Sequence, residues 1–199
     1  MGGGHKITAV ESNQHIAYLY YKRFPKDTII IGDAYTYLEE HYSEYDFIWA
    51  SPPCQSHTRM CAFPNHRKRL PDLRLYSIII FLDRFYEGYW AVENVIPHYS
   101  SLIQPTAIVD RHYIWSNFPI ENKKFKKPRG NFKDLTIPTL CKFLRVDLKL
   151  INSFIPKNWP NHDYKRQVLR NCVLPEAGKY ILDQLITKKQ INLENFLEV

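Results

Sequence analysis

No run of apolar residues in this chain approaches the eighteen or so that a membrane-spanning helix needs, and no signal peptide opens it. Its four cysteines, Cys54, Cys61, Cys141 and Cys172, show no paired spacing, so a disulfide framework is not expected. Internal repeats and low-complexity segments are missing too. These absences point to a reducing, cytoplasmic setting with no membrane partner. Cys54, His57, Cys61 and His66 are residue types that zinc prefers, but their spacing is irregular and a second cysteine pair is lacking, so no metal is expected.

What is present is enough apolar material for a core. The chain has 199 residues with 45% apolar content. That suggests a single domain over 1–199 able to bury roughly 70% of the surface its unfolded chain exposes. The formal net charge of +7 suits a polyanionic partner.

Lys6-Ile7-Thr8-Ala9-Val10 is a β-branched run ending at Glu11, followed by Ile16, Leu19 and Tyr20 at helical spacing until Pro25 stops the pattern. Thr28-Ile29-Ile30-Ile31 reads as the next strand, closing on Gly32-Asp33; Tyr35 to Tyr45 reads as a helix and Asp46 to Ala50 as a third strand. Leu70 to Tyr86 is a long amphipathic helix leading into a strand that ends at Glu93. This alternation predicts an α/β fold with a parallel, doubly wound sheet. Ala107 to Val109 and His112 to Trp115 read as further strands, Asn117 to Asp163 as a proline-dotted basic stretch without periodicity, and Tyr180 to Ile186 as a last helix.

The chemistry-bearing residues stand at strand ends. Asp46 to Gln55 runs an apolar strand into Pro52-Pro53 and then Cys54, which is how a rigid loop presents a nucleophile. Tyr89-Trp90-Ala91-Val92 likewise ends in Glu93-Asn94-Val95. In an open α/β sheet both ends would face one crevice beyond the carboxyl ends of the strands. A thiol and a carboxylate so placed suit covalent attack on an electron-poor ring, with proton delivery to a ring nitrogen. A free thiol has a pKa near ~8.5 and needs help to ionise, for which Arg59 and Arg111 are candidate sources of positive charge. The alternatives are a buried structural cysteine at 54 and a helix-capping carboxylate at 93.

Pro52-Pro53-Cys54-Gln55 followed by Glu93-Asn94-Val95 resembles the catalytic pair of motifs of the DNA (cytosine-5) methyltransferases, in their small bacterial and phage form. The resemblance extends more weakly over roughly residues 6 to 190. It implies a Rossmann-like S-adenosylmethionine-dependent methyltransferase sheet acting on C5 of a cytosine flipped out of double-stranded DNA. A restriction-modification or phage self-protection role is implied with it. The family pattern assigns addition at C6 of the ring to Cys54, the proton at N3 to Glu93, contact with the target base to Arg111 and help with base flipping to Gln55. It further assigns cofactor ribose to Glu11, the adenine amino group to Asp33, and closure of the cofactor pocket to Asn171 in Arg170-Asn171-Cys172-Val173-Leu174-Pro175. Two departures stand out: Leu169 occupies a place where the family more often has glycine, and the usual run of arginines is reduced to Arg111 with His112 beside it.

The family also begins with a strand and a glycine-rich loop that cradles the methionine end of the cofactor. Here Met1-Gly2-Gly3-Gly4-His5 stands immediately before Lys6, and none of the seven glycines lies beyond Gly178. The first strand is therefore expected to be missing. In a doubly wound sheet that strand is central, between the second and fourth, so its absence would leave two inner strands with unpaired edges. Three readings follow: an incomplete translation of a longer enzyme, one part of a split enzyme whose second chain supplies the motif, or a degenerate relative that binds DNA without turnover. The chain as given is expected to bind S-adenosylmethionine weakly or not at all.

Residues 117–163 read as a small target-recognition segment, in which Lys123, Lys124, Lys126, Lys127, Arg129 and Lys133 surround Phe125 and Phe132. That density of cations suits phosphate contact, with a solvated charged loop as the alternative. Replacing Lys123, Lys124, Lys126 and Lys127 with alanine should weaken binding to all duplexes alike and flatten the salt dependence by roughly one unit of slope per lost contact. Titrations at several salt concentrations measure this; an unchanged slope would show that the stretch does not touch the DNA backbone.

Overall fold

A computed structural model describes residues 4–63, 69–128, 134–154 and 164–197. His66, Arg129, Phe132 and Lys133 lie outside the described residues, as do Met1 to Gly3 and residues 155–163 of the recognition segment. The chain divides into two compact units, Met1–Glu40 with Lys126–Pro175, and His41–Phe125 with Glu176–Val199.

In the first unit, β1 (Thr8–Glu11) and β2 (Thr28–Ile31) are β-branched strands paired in parallel, with Glu11 opposite Ile31. Parallel neighbours need a crossover, which α1 (Gln14–Arg23) provides. Asn13 starts that helix by accepting the backbone N–H groups of His15 and Ile16 at 3.0 and 3.2 Å. Asp33 does the same for α2 (Ala34–His41), accepting from Tyr35 and Thr36 at 2.9 and 3.1 Å.

Part of the proline-dotted stretch expected to be irregular is instead helical: α4 (Ile137–Leu144) and α5 (Leu148–Phe154) lie within it, and α6 (Tyr164–Arg170) begins just beyond it. The apparent breaker Pro138 sits in the first turn of α4, where its missing N–H costs nothing, and Thr136 caps that turn. Leu135, Leu140, Cys141, Leu144, Ile151, Val168 and Leu169 join Leu19 of α1 in one apolar cluster. Leu169, unusual by the family pattern, thus fills a core position where glycine would leave a void.

The second unit is built on four strands in the order β3 (Phe47–Ala50), β4 (Tyr89–Val95), β6 (His112–Ser116), β5 (Ala107–Val109). β3 and β4 are parallel, linked through α3 (Arg74–Phe85), whose Leu75, Ile78, Ile79 and Leu82 are buried. The parallel pairing expected of the sheet holds for β3–β4, whereas β4–β6 and β5–β6 are antiparallel. For β5 and β6 the reason is the two-residue connection Asp110-Arg111, which can join only antiparallel strands. Among the described residues no strand pairs with the other edge of β1 or of β3. The final helix, α7 (Pro175–Leu197), is longer than the sequence pattern suggests and opens on a proline.

Leu140→Ala, at a position with no exposed surface, should lower the unfolding free energy by about 2–5 kcal/mol. Lys142→Ala, exposed on the same helix, should change it by less than about 0.5 kcal/mol. Urea melts of the two variants distinguish a packed cluster from a loose recognition loop; equal effects would contradict the packing.

Candidate active site

β4 is the central strand of its sheet, paired on both edges, and five consecutive residues of it are buried from Trp90 to Asn94. Two of those five are polar: Glu93 is 8% exposed and Asn94 1%. Buried polar groups must find partners, and theirs lie on the neighbouring strands' ends. Asn94 donates its side-chain amide to the Pro52 carbonyl at 3.0 Å and accepts from the Val95 N–H at 2.9 Å. This bond ties the Pro-Pro-Cys loop, which leaves β3, to β4. Glu93 receives a side-chain hydrogen bond from Ser51, and His112 Nε2 stands 3.5 Å from its Oε1. His112 is diagonal to Glu93 across the β4–β6 ladder, on the same face.

Arg111 arrives through the hairpin turn. Asp110 adopts φ 62°, a left-handed conformation in which a short polar side chain is among the better tolerated. It is held there by its N–H, which donates to the Lys123 carbonyl at 2.6 Å, and by its carboxylate, which accepts from the Phe125 N–H at 3.2 Å. The turn leaves Arg111 exposed, with its charge acting on both Cys54 and Glu93.

Cys54, Glu93 and Arg111 are therefore brought together. Burial pushes the Cys54 thiol up, and the negative charge of Glu93 adds to that, with Arg111 partly opposing. Arg59, the other candidate cation, is not among the charges acting on the thiol. Burial drives the Glu93 carboxyl from its ordinary value of 4.5 up to about 7, against the Ser51 hydrogen bond and the Arg111 charge. At neutral pH the resting site holds a thiol beside a carboxyl close to half protonated. Gln55, next to Cys54, is exposed.

The residues matched to cofactor binding lie in the other unit. Glu11 closes β1 and Asp33 stands two residues beyond β2, at the same end of the pair, where each already accepts local N–H groups through one carboxylate oxygen, Glu11 from Asn13 at 2.8 Å. Asn171 is exposed after α6, its N–H donating to the Gln167 carbonyl at 3.0 Å. Of the lysines, Lys123, Lys124, Lys126 and Lys127 are all exposed, and Lys123 lies 5.6 Å over the Tyr180 ring.

Sequence reasoning missed Ser51, Asn94 and His112 as members of this arrangement. The available signal was positional: Ser51 precedes the proline pair, Asn94 follows Glu93, and His112 lies two residues before Ile114, which pairs with Glu93.

No family model matches the chain, and no curated protein does either. Among solved structures, one that the chain resembles is a triple mutant of DNMT2 from Spodoptera frugiperda, with 18% identity and a TM-score of 0.40 over 71% of this chain. The chain spans 55% of that structure's length. No helix among the described residues is long and apolar enough to cross a membrane.

Because the folded state holds a proton on Glu93 up to about pH 7 while the unfolded chain releases it near 4.5, stability should fall as pH rises through that window. The cost approaches about 3 kcal/mol above it. Glu93→Gln carries no such charge, so its stability relative to wild type should improve by roughly 2–3 kcal/mol between pH 4.5 and 8. Urea denaturation at both pH values checks this, and a difference that does not change with pH would contradict a raised carboxyl.

Proposed function

We propose that the chain is a DNA (cytosine-5) methyltransferase, or the part of one that carries its catalytic groups. The observation that carries this reading is the hydrogen bond of the buried Asn94 amide to the Pro52 carbonyl, which fastens the Pro-Pro-Cys54 loop after β3 to β4 beside the buried Glu93, with Arg111 in the β5–β6 turn. Cytosine C5 is a poor nucleophile until a thiolate adds at C6 and turns the ring into an enamine. Cys54 is the group for that addition. Its resting thiol is held protonated, so as the base enters that proton passes to solvent water and the thiolate left behind forms the bond to C6. Addition raises electron density at N3, and a carboxyl that still has its proton near pH 7 can deliver it there, which for general acid catalysis is worth on the order of 10²–10⁴ in rate. Glu93 fills that role, and Arg111 offsets negative charge as the thiolate forms.

The cofactor implied is S-adenosylmethionine, which supplies an electrophilic methyl group when bound. Glu11 and Asp33 have the acceptor chemistry for ribose hydroxyls and an adenine amino group, and Asn171 would close the pocket. For the methionine end, the described residues include only Gly4 near the start of the chain, with no glycine cradle. Double-stranded DNA is the substrate, with the target base flipped out at a cost of a few kcal/mol and Gln55 beside the emptied position. Exposed Lys124, Lys126 and Lys127 are placed to meet phosphates. A cytoplasmic restriction-modification or phage self-protection role fits this activity. A second reading, that another chain contributes a strand and the glycine loop, is favoured by the edges of β1 and of β3 with which no strand among the described residues pairs.

Duplex DNA carrying 5-fluorocytosine, incubated with S-adenosylmethionine and a form of the chain completed by the strand and glycine loop, should trap a covalent complex, because fluorine at C5 cannot leave as a proton does. Cys54→Ala should abolish trapping, and Glu93→Gln should slow methyl transfer about 10²-fold or more while keeping DNA binding. Undiminished trapping by the Cys54 variant would overturn the assignment.

A further inference from the structure

Cys54 is held from its N-terminal side by Asn94 through Pro52. On its C-terminal side the loop closes a tight turn in which the Cys54 carbonyl accepts from the N–H groups of His57 and Thr58, both at 3.0 Å. His57 is 1% exposed and belongs to no step proposed above. Its Nδ1 lies 2.6 Å from the Tyr99 hydroxyl, and Tyr76 of α3 donates its hydroxyl to Tyr99 at 3.3 Å. Tyr76 in turn accepts from the Leu102 N–H at 3.3 Å. The His57 carbonyl accepts from the His98 N–H at 3.0 Å, and Thr58 forms an isolated bridge to Pro97. Side chain and main chain of one residue thus fasten the cysteine turn to α3 and to the segment that follows β4.

The direction of the hydrogen bonds follows from burial. Burial raises the Tyr99 phenol well above its ordinary range, so it keeps its proton and can donate to His57. Burial lowers His57, with His98 adding to the effect and Asp72 opposing, so the ring is neutral and Nδ1 can accept. His57 Nε2 is buried with no hydrogen-bond partner among the described residues. A phenylalanine would fill the same space but could not accept from the Tyr99 hydroxyl, so the imidazole does more than pack.

We propose that His57 is a positioning residue for Cys54: through Tyr99 and Tyr76 it fixes the turn that begins at the cysteine and so sets where the thiol stands. The proposal rests on the reading of Cys54 as the nucleophile. It is tested first without DNA or cofactor, by the rate at which iodoacetamide alkylates Cys54, read by mass spectrometry with Cys172 as the internal reference. His57→Phe and Tyr99→Phe keep the rings and remove the acceptor or the donor. Each should speed Cys54 alkylation about five-fold, the factor that the net worth of one hydrogen bond implies, and leave Cys172 unchanged. The double variant should be no faster than Tyr99→Phe alone, since that variant already lacks the His57–Tyr99 bond as well as the acceptor for Tyr76. His57→Gln offers an amide oxygen to Tyr99 and should stay within about two-fold of wild type. Should His57→Phe not fold, Tyr99→Phe carries the test.

An unchanged Cys54 rate, parallel acceleration of Cys172, or additive single variants would each overturn the proposal. In methyl transfer, His57→Phe should lower kcat with the KM for DNA unchanged, and His57→Gln should restore it. If wild type completed by the strand and glycine loop shows no methyl transfer while the alkylation pattern holds, the positioning role stands and the functional reading falls. If methyl transfer is present and the alkylation pattern fails, the reverse conclusion applies.

Discussion

A carboxyl and an amide buried side by side in the middle strand of a sheet set the terms for much of what surrounds them. β4 is paired on both edges, so Glu93 and Asn94 cannot turn to solvent without breaking the ladder. Their polar atoms must be met by whatever lies at the ends of the adjacent strands, because an unmet buried polar group costs about 1–3 kcal/mol and a buried charge more. On one side the partners come from the loop after β3, Ser51 and the Pro52 carbonyl. On the other they come from the hairpin of β5 and β6, which brings His112 and the charge of Arg111. Satisfying Glu93 and Asn94 therefore assembles the cysteine loop, the carboxyl and the arginine in one place.

The same burial supplies the electrostatics. A carboxylate in water would be ionised at neutral pH and useless as a proton donor. Held in β4 it titrates near 7, close to the pH at which a general acid is most effective. The cost falls on the thiol, which is held protonated by its own burial and by the charge of Glu93. Among the described residues, Arg111 is the cation that works the other way on both groups. Its delivery depends on Asp110 at φ 62°, a backbone state held by hydrogen bonds to Lys123 and Phe125. The basic stretch around Lys123 is in that way mechanically joined to the hairpin that presents the arginine.

The strands, and the placing of Cys54 and Glu93 after or within them, were legible in the sequence because both depend on local pattern. Apolar runs of four to seven residues ending in Cys54 or Glu93 declare strand and site together. β1, β2, β3 and β4 fall where alternation and β-branching place them. Less legible was anything decided by long-range packing. α4 looked irregular because Pro138 reads as a breaker, whereas Thr136 makes it a first-turn proline, and only the contact with Leu19 shows that the stretch is core. Antiparallel pairing of β6 was available from the two-residue Asp110-Arg111 connection. The buried His57–Tyr99–Tyr76 chain spans forty-two residues of sequence between its first two members and leaves no periodic trace. Glu11 and Asp33 read as cofactor acids by position, and the structure gives both a local bonding role that sequence spacing alone does not separate from ligand binding.

The central claim is that Cys54 and Glu93 share one electrostatic environment, and the direct measurement is the pH dependence of Cys54 alkylation in wild type and in Glu93→Gln. With the negative charge removed, the midpoint at which Cys54 becomes reactive should move to lower pH, with Arg111→Ala moving it the opposite way. A Cys54 midpoint that is the same in all three proteins would mean that the three groups do not act on one another, and the site as described would not exist.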